Sequence, residues 1–333
     1  MTRIIRHAVQ AAHFSNELEK HLPPVRGRLS PNFALKQMTW LNAGGPAEVL
    51  FKPADKQDLI DFVKNCPRDV PITTLGVISN VIIRDGGIPG VTIRMGREFA
   101  HIDIKGDKVH AGAAAIDMNV ALTCLNESVA GLEFLSGIPG TIGGGLRMNA
   151  GAYGTEFKDV LETAEVLDRS GNVRHLTPAE MGMTYRRNAL PEGVIFISGV
   201  FKGRAGVAAE IEQKMMEIKD RRAESQPIRT KTGGSTFANP PEGGKKAWEL
   251  IDAAGCRGLT VGGAQMSEMH CNFMINTGTA TAADLERLGE EVRKRVFATS
   301  GVQLRWEIKR VGVPLEKDAD IFGFMKQEQS AHV

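Results

Sequence analysis

The run GIPGTIGGGLRMNAGAYG at residues 137–154 decides the fold of this chain. It holds seven glycines in 18 residues, against 37 glycines in all 333 residues. Clustered glycines let successive backbone N–H groups come close to a bound group and form a concave anion site that suits a pyrophosphate. The run therefore predicts a dinucleotide-binding loop, with a glycine-rich surface turn as the alternative explanation.

A second candidate phosphate loop precedes this run. The segment TLGVISNVIIRDGGIPGVTIR, residues 74–94, offers Gly76, Ser79 and Asn80 as backbone and side-chain donors ahead of a strand-like stretch. Neither loop has the GxGxxG spacing of a Rossmann fold, and the chain has no GxxxxGK loop followed by Ser or Thr. Two such loops in the first half of the chain predict a cofactor that lies between two subdomains.

Composition and charge exclude several classes of protein. The chain is 42% hydrophobic and 24% charged, which is typical of a soluble globular protein. Its formal net charge of +2 is too small for the broad basic field that nucleic-acid binding needs. The first residues lack a signal-peptide pattern, and no apolar run approaches the roughly 18 residues of a membrane span. We expect a cytoplasmic protein without nucleic-acid or membrane partners.

The four cysteines give no sign of a metal site. Cys66, Cys124, Cys256 and Cys271 lie far apart, and none belongs to a CxxC pair or to a set of histidines with metal-ligand spacing. We therefore expect buried thiols in a reducing compartment and no metal.

Hydrophobic periodicity divides the chain into a mixed first part, the glycine-dense middle and a mixed last part. Apolar residues at helical spacing predict helices over residues 55–66 and 207–224, and a third helix from Thr281 to just before Gly301. Strands are predicted at residues 47–51, 91–95, 164–168, 173–176, 194–201 and 302–310. In the last of these, alternation places Trp306 on the buried face and Glu307 on the opposite one.

Several motifs, read in order, resemble those of the UDP-N-acetylenolpyruvoylglucosamine reductase family, also called MurB. The resemblance runs from Thr39 to Gly312. Besides the loop at residues 74–94, it rests on GLEFLSGIPGTIGG (131–144), RMNAGAYGTE (147–156), MTYRRN (183–188), GGSTFANP (233–240), SEMHCNFMIN (267–276) and LRWEIKRVG (304–312). It implies an α+β chain, with a two-subdomain FAD-binding fold of the vanillyl-alcohol oxidase and p-cresol methylhydroxylase type, followed by a C-terminal α/β substrate-binding domain.

The domain boundaries are predicted from this resemblance together with the periodicity. We expect an N-terminal extension at residues 1–30, FAD-binding subdomains at 31–104 and 105–206, a substrate-binding domain at 207–313 and a tail at 314–333.

The resemblance also implies the reaction. NADPH would reduce non-covalently bound FAD, and the reduced flavin would pass hydride to the enolpyruvyl double bond of UDP-N-acetylglucosamine enolpyruvate, giving UDP-N-acetylmuramate for peptidoglycan precursor synthesis. Hydride addition builds negative charge on the substrate carboxylate, and the adjacent carbon must then receive a proton. The chemistry requires a positioned cation and a proton donor. We expect a monomer that acts on this small molecule.

Three residues at matched motif positions would carry this chemistry. Arg186 would engage the carboxylate, because the fixed fork of a guanidinium suits a planar anion. Ser235 would supply the proton, and Glu307 would assist charge and proton positioning. Each residue has a structural alternative: a surface arginine beside Arg187, a serine that caps a loop, and a strand carboxylate paired with the neighbouring cations Arg305 or Lys309.

The same match implies the remaining site residues. FAD would be bound by Gly76, Ser79, Asn80, Gly137, Pro139, Gly140, Thr141, Gly143, Gly151, Ala152 and Arg222. The substrate would be bound by Tyr153, Tyr185, Gln226 and Asn239. His270 and Asn272 are interpreted as structural residues.

The chain departs from the family pattern at a few positions. Ile78 stands where the family commonly has glycine, so we expect a reshaped loop and weaker FAD binding, because a β-branched residue restricts the backbone. Ala238 replaces a frequent lysine, and Trp306 stands where a smaller residue or proline is usual. The interval from Arg186 to Ser235 is short for the subgroup that inserts an extra tyrosine-bearing loop, so we predict the compact subgroup.

Two other functions stay open at this point. One is a related flavoprotein with the same cofactor fold that acts on another small molecule. The other is a non-catalytic binding protein that has lost FAD through changes such as Ile78. A colourless protein that binds UDP-sugars would favour the second.

Overall fold

Three sheets of four or five strands, packed against hydrophobic clusters, form the framework of the protein. The structure is a computed structural model that describes residues 14–227, 230–241 and 244–321. Within these ranges the α-helices are α1 (Lys56–Asn65), α2 (Asp117–Asn126), α3 (Ile142–Met148), α4 (Phe157–Val160), α5 (Ala208–Ser225), α6 (Ala247–Ala253) and α7 (Ala282–Ser300). Short 3-10 helices lie at Leu18–His21, Lys36–Met38, Arg97–Phe99, Glu133–Gly137 and Glu316–Asp318.

The strands are numbered in chain order. They are β1 (Arg28–Ala34), β2 (Pro46–Lys52), β3 (Ile72–Thr74), β4 (Val81–Ile83), β5 (Ile88–Ile93), β6 (Ile102–Lys105), β7 (Lys108–Gly112), β8 (Val129–Ala130), β9 (Gly151–Ala152), β10 (Thr155–Glu156), β11 (Leu161–Leu167), β12 (Val173–Leu176), β13 (Ile195–Lys202), β14 (Arg204–Ala205), β15 (Thr232–Ser235), β16 (Thr260–Val261), β17 (Ala264–Met266), β18 (Phe273–Asn276) and β19 (Lys309–Val311).

The first sheet is mixed and has the order β1-β2-β5-β3. Helix α1 packs on it through Leu59, Phe62 and Val63, all buried in one cluster with Phe51 of β2. The helix begins where the Asp55 side chain accepts a hydrogen bond from the Asp58 N–H, which satisfies one of the free donors of the first turn. The helix predicted over residues 55–66 is therefore confirmed.

The second sheet is antiparallel and has the order β12-β11-β13-β7-β6. Helices α2, α3 and α5 contribute to its core, as shown by the buried side chains of Val120, Leu146 and Ile211. The strands predicted near residues 164–168, 173–176 and 194–201 are confirmed. The glycine-rich run therefore lies on the core of this sheet.

The third sheet is antiparallel and has the order β15-β18-β17-β16, with α6 and α7 packed on it. Helix α7 begins with a capping box in which Thr281 and Asp284 bind each other's backbone N–H groups. It ends at Gly301, which adopts a left-handed φ of 72° that favours glycine. Both ends of this helix agree with the prediction.

The strand predicted over residues 302–310 is wrong in extent. Only β19 is a regular strand, while Trp306 makes an isolated bridge to Phe237. The predicted alternation is nevertheless confirmed, since Leu304, Trp306 and Ile308 are buried. The segment cannot pair along its whole length, because its two ends have different partners. Trp306 pairs with Phe237 beside the third sheet, whereas β19 lies parallel to β4.

The predicted domain boundaries remain predictions, and two structural facts bear on them. The boundary between residues 104 and 105 falls inside β6, which pairs with β7 of the second sheet. Strand β19 of the predicted substrate domain pairs with β4 of the first region. Part of the predicted N-terminal extension, residues 1–13, and part of the predicted C-terminal tail, residues 322–333, lie outside the described residues.

Candidate active site

The two predicted phosphate loops approach each other at Gly76 and Thr141. A Cβ atom added at Gly76 would lie 2.5 Å from the Thr141 hydroxyl oxygen, so only glycine fits there without displacing Thr141. The glycine-rich loop is held from below by two backbone hydrogen bonds, from Ile142 N–H to Ala115 O at 3.0 Å and from Gly143 N–H to Ala113 O at 2.9 Å. Gly76 and Thr141, far apart in sequence, thus lie side by side in one glycine-rich surface, which we call the cradle.

Ile78 keeps a backbone conformation that glycine would adopt without strain. Its φ is 55°, which is rare for a β-branched residue and costs on the order of 1–3 kcal/mol. Its side chain is buried against Leu75 and Ile83, and its carbonyl accepts a hydrogen bond from Trp40 N–H. Burial of the side chain offsets this strain, and the expected reshaping of the loop stays a prediction. The effect on FAD affinity stays a prediction.

Arg186 lies at the centre of the candidate site, in a turn with a left-handed φ of 56°. Its Nη2 donates to the Gly151 carbonyl at 2.8 Å, and its Nε donates to Oε1 of Glu307 at 3.2 Å. The Tyr185 ring lies 5.1 Å from the guanidinium carbon. Arg186 Nη1 is buried and has no hydrogen-bond partner among the described residues. One donor of the guanidinium is therefore available to an anion.

Glu307 pairs with Arg186, a residue far away in the sequence. Glu307 forms an ion pair with Arg186 at 3.2 Å, while the charges of Arg305 and Lys309 also favour its ionised form, so pairing with those two cations alone does not describe this carboxylate. The side chain is 12% exposed, and burial raises the pKa of Glu307, although the Arg186 charge favours the ionised form. The Glu307 backbone N–H donates to the Thr236 carbonyl at 2.8 Å.

Ser235 ends β15, directly before Thr236. Asn80 of the first loop links this strand to the segment of Glu307. Its side-chain Nδ2 donates to the Gly233 carbonyl at 3.0 Å, and its carbonyl accepts from Lys309 N–H at 3.1 Å. A predicted cofactor residue therefore contacts both the strand that ends at Ser235 and the segment that carries Glu307.

A second group of predicted site residues meets at the end of α5. The Tyr153 hydroxyl donates to the Ile218 carbonyl at 3.2 Å, and Arg222 Nε donates to Gln226 Oε1 at 3.1 Å. Burial raises the pKa of Tyr153 and lowers that of Arg222. The Tyr153 ring also lies against Gly137, where an added Cβ would approach it to 2.7 Å. This group places the glycine-rich loop beside α5.

Asn239 is not brought into contact with these residues. Its Oδ1 accepts a hydrogen bond from Ala247 N–H at 3.1 Å, at the start of α6. This contact is structural, and a contact with the nucleotide stays a prediction. His270 fits its structural interpretation, since its ring packs edge-on against Phe273 and burial lowers its pKa. Asn272 likewise binds both backbone groups of Phe237.

Asn149 is a site residue that sequence reasoning missed. It is fully buried, and its Nδ2 donates to the Thr184 carbonyl at 2.9 Å, in the turn that carries Arg186. The same side chain also donates to Glu156 at 3.0 Å and accepts from Lys158 N–H at 3.0 Å. Its position inside the quoted motif RMNAGAYGTE was the available signal. Asn149 therefore connects the glycine-rich run to Arg186.

Neither a membrane helix nor a metal cluster is found in the part of the chain that the structure describes. None of its helices combines the length and apolar composition that a membrane crossing requires. No group of three or more His, Cys, Asp or Glu side chains in these ranges could hold a metal ion. All four cysteines are buried free thiols.

Comparisons with known proteins agree with this architecture. A family model described as FAD binding domain matches residues 47–177, and the model of the UDP-N-acetylenolpyruvoylglucosamine reductase C-terminal domain matches residues 226–311. The reductase of that name from Paramagnetospirillum magneticum is 58% identical over 88% of this chain and 94% of its own length. Its counterpart from Rhodospirillum rubrum is 57% identical over 89% of this chain and 93% of its own length.

A solved structure supports the same assignment. The crystal structure of UDP-N-acetylenolpyruvylglucosamine reductase (MurB) from Thermus caldophilus matches with a TM-score of 0.75 and 33% sequence identity. The match covers 87% of this chain and 100% of the solved one. The extent and identity of these matches, together with a glycine-rich cradle beside the Arg186–Glu307 pair, mean that this chain belongs to the UDP-N-acetylenolpyruvoylglucosamine reductase (MurB) family.

Proposed function

We propose that this chain is an FAD-dependent reductase that uses NADPH to convert UDP-N-acetylglucosamine enolpyruvate to UDP-N-acetylmuramate. The relatives that carry the reductase name and the FAD-binding family model support the overall reaction. The single observation that carries the assignment to particular residues is Arg186, whose buried Nη1 has no partner among the described residues while Nε and Nη2 are held by Glu307 and Gly151.

The residues of the two loops fit the pyrophosphate of FAD. Ser79 and Thr141 supply hydroxyl groups, and both loops contain glycines, which let the backbone come close to a bound group. At Gly140 an added Cβ would lie 2.7 Å from the Asp117 carboxyl, so the loop surface is kept free of side chains there. Gly76, Ser79, Asn80 and the loop residues of the 137–154 run would hold the cofactor. Bound FAD supplies the hydride for the reaction.

Arg186 orients the substrate carboxylate and stabilises the charge that develops on it. Its guanidinium cannot turn freely, since two of its nitrogens are already held. A fixed donor aimed at developing charge stabilises the transition state without reorganisation, typically by about 3–4 kcal/mol. The left-handed backbone at Arg186 is consistent with this role, because such strain often occurs at functional sites.

Glu307 assists in its neutral form. Burial raises its pKa, and a substrate carboxylate bound at Arg186 would add negative charge nearby, which further favours protonation. A protonated carboxyl can donate a hydrogen bond to the developing enolate. Arg186 and Glu307 would therefore stabilise the same charge from two directions.

Ser235 donates a proton to the second carbon of the enolpyruvyl double bond, next to the carbon that has received the hydride. Its hydroxyl is a weak acid, so this step needs a strongly basic carbon and a site shielded from water. The hydrogen bonds from Asn80 to Gly233 and from Glu307 to Thr236 hold the Ser235 strand on both sides of the serine. Tyr153, Tyr185, Gln226 and Asn239 are proposed to bind the remainder of the substrate.

We further propose that the protein works as a monomer in the cytoplasm. The four buried free thiols support a reducing compartment. Sedimentation of the purified protein with and without substrate measures the oligomeric state, and a stable dimer would contradict this part of the proposal.

An anaerobic visible spectrum tests the function directly. We expect bound flavin to bleach with NADPH and to regain its colour when UDP-N-acetylglucosamine enolpyruvate is added. Bleaching without recovery would indicate another acceptor, and a colourless protein would favour a binding protein that has lost FAD.

The Ser235→Ala variant tests the proton donor. General acid catalysis contributes about 10²–10⁴-fold, so flavin recovery should slow within that range while flavin content and bleaching by NADPH stay at wild-type values. Thr230→Ala, in the same segment, serves as the matched control. Equal slowing of both half-reactions would contradict the role of Ser235.

A further inference from the structure

Trp306 joins the segment that carries Glu307 to the segment that carries Ser235, the two proposed catalytic residues. It directly precedes Glu307, and it forms an isolated antiparallel bridge with Phe237, two residues after Ser235. The rings of Trp306 and Phe237 are tilted by 53° with their centroids 5.1 Å apart. The Ala238 N–H also donates to the Arg305 carbonyl at 2.9 Å. A shift of Trp306 would therefore move both segments.

A buried carboxylate holds the indole ring in place. Trp306 Nε1 donates to Glu290 Oε1 at 2.8 Å, and Glu290 also accepts from Arg293 Nη1 at 2.9 and 2.8 Å. The Arg310 guanidinium carbon lies 4.5 Å from the centre of the indole ring, and its Nη1 lies 3.6 Å from Glu290 Oε1. The indole thus has a charged hydrogen-bond acceptor at its edge and a cation on its face.

The helix that carries Glu290 is shaped to receive this ring. Gly289 of α7 faces the indole, and a Cβ atom there would collide with the Trp306 ring. The same helix also contacts the segment after β4, because Glu286 accepts hydrogen bonds from Arg84 Nε and Nη2 at 2.8 and 3.0 Å. Trp306 is therefore connected through one helix to the strand that follows the first phosphate loop.

We propose that Trp306 is a positioning residue, which fixes the separation of Ser235 and Glu307 through its hydrogen bond to Glu290. This inference rests on the proposed function, since it concerns the second half-reaction. A misplacement of about 1 Å can cost about 100-fold in rate when reacting groups must be aligned. A hydrogen bond to an ionised acceptor is both strong and directional, which suits this task.

The Trp306→Phe variant removes the indole N–H and keeps an aromatic ring against Phe237. We expect recovery of flavin colour at saturating enolpyruvyl sugar to slow by about tenfold to 100-fold. The Kd of the same sugar for the oxidised holoenzyme should change by less than about threefold, since uniform binding is retained. Flavin content and bleaching by NADPH should match wild type, and Tm should fall only modestly, because part of a buried ring and one hydrogen bond are lost. Trp248→Phe, on the same domain and partly exposed, is the matched control and should leave all five quantities unchanged.

Glu290→Gln provides a second variant should Trp306→Phe fail to fold. It keeps an acceptor for the indole N–H but weakens it, so a smaller slowing of the same step is expected. Recovery at the wild-type rate in a folded variant would overturn the inference. A loss of bound flavin together with a lower Tm would also overturn it, because that result would assign Trp306 to core packing alone. No recovery in the wild-type protein would instead overturn the proposed function, and this inference with it.

Discussion

Two arginine–glutamate pairs in this protein differ in how deeply they are buried and in how fully their hydrogen-bond donors are used. In the pair Arg84–Glu286 the side chains are 3% and 0% exposed, and Arg84 uses all three of its nitrogens, two on Glu286 and Nη1 on the Gly312 carbonyl at 3.1 Å. In the pair Arg186–Glu307 the side chains are 19% and 12% exposed, and one guanidinium nitrogen has no partner in the described ranges. The first pair is complete as it stands, whereas the second keeps a donor for a ligand.

The backbone conformation of the two arginines also differs. Arg84 directly follows β4, whereas Arg186 lies in a turn with a left-handed φ of 56°, a conformation that costs on the order of 1–3 kcal/mol in a non-glycine residue. Burial raises the pKa of both glutamates. Burial of an ion pair does not by itself indicate a site, whereas an unfilled donor on a strained residue supports the site proposed at Arg186.

The largest effect is expected at the complete pair. Arg84→Met would leave the Glu286 carboxylate buried without its main partner, and removal of one member of such a pair typically lowers the free energy of unfolding by about 3–5 kcal/mol. Chemical denaturation of the holoprotein measures this loss. An unchanged midpoint would place the pair among contacts of no structural consequence and would break the comparison.

A double variant sharpens this result. Arg84→Met with Glu286→Leu removes both charges, so part of the loss should be recovered, because an apolar pair needs no counter-charge and the nearby Arg310 keeps Glu290 at 3.6 Å. The two single variants are the reference measurements. If the double variant is as unstable as their sum, then the two residues act independently.

The next effect is expected at the incomplete pair, and on rate instead of stability. Arg186→Ala should slow flavin recovery by the enolpyruvyl sugar by about 10²–10³-fold, as for loss of one donor that stabilises developing charge. Bleaching by NADPH should stay near wild type, and Tm should fall less than for Arg84→Met, because alanine keeps the same backbone strain and the partly exposed Glu307 carboxylate can be hydrated. The exposed neighbour Arg187→Ala is the control. Wild-type recovery in Arg186→Ala would remove this residue from the site.

The smallest effect is a change in pH dependence. Because burial raises the pKa of Glu307, its neutral form persists to higher pH than for an exposed glutamate, and the rate of flavin recovery should fall as pH rises through that pKa. Glu307→Gln should abolish this fall, whereas Glu291→Gln, at an exposed surface ion pair, should retain it. The same descending limb in Glu307→Gln would show that another group titrates.

Much of the framework was predictable because its causes are local. Helix α1 follows from an N-cap aspartate and an apolar face, and helix α7 follows from Thr281 and Gly301 at its two ends. The extent of the strand before β19 was not predictable, since alternation reports which side chains are buried and not whether a partner strand is present. Ile78 shows the same limit, because its strained backbone is retained only by tertiary burial.

The sequence by itself determined the two glycine-rich loops, the order of the family motifs and the identity of Arg186, Ser235 and Glu307 as candidates. Each of these depends on residue type and on spacing within a short segment. Only the tertiary structure decided that Arg186 meets Glu307, 121 positions away, and that Arg84 meets Glu286, 202 positions away. Such contacts depend on how the last segment crosses from the third sheet to β4, and that path is set by packing of the whole chain, which no local pattern records.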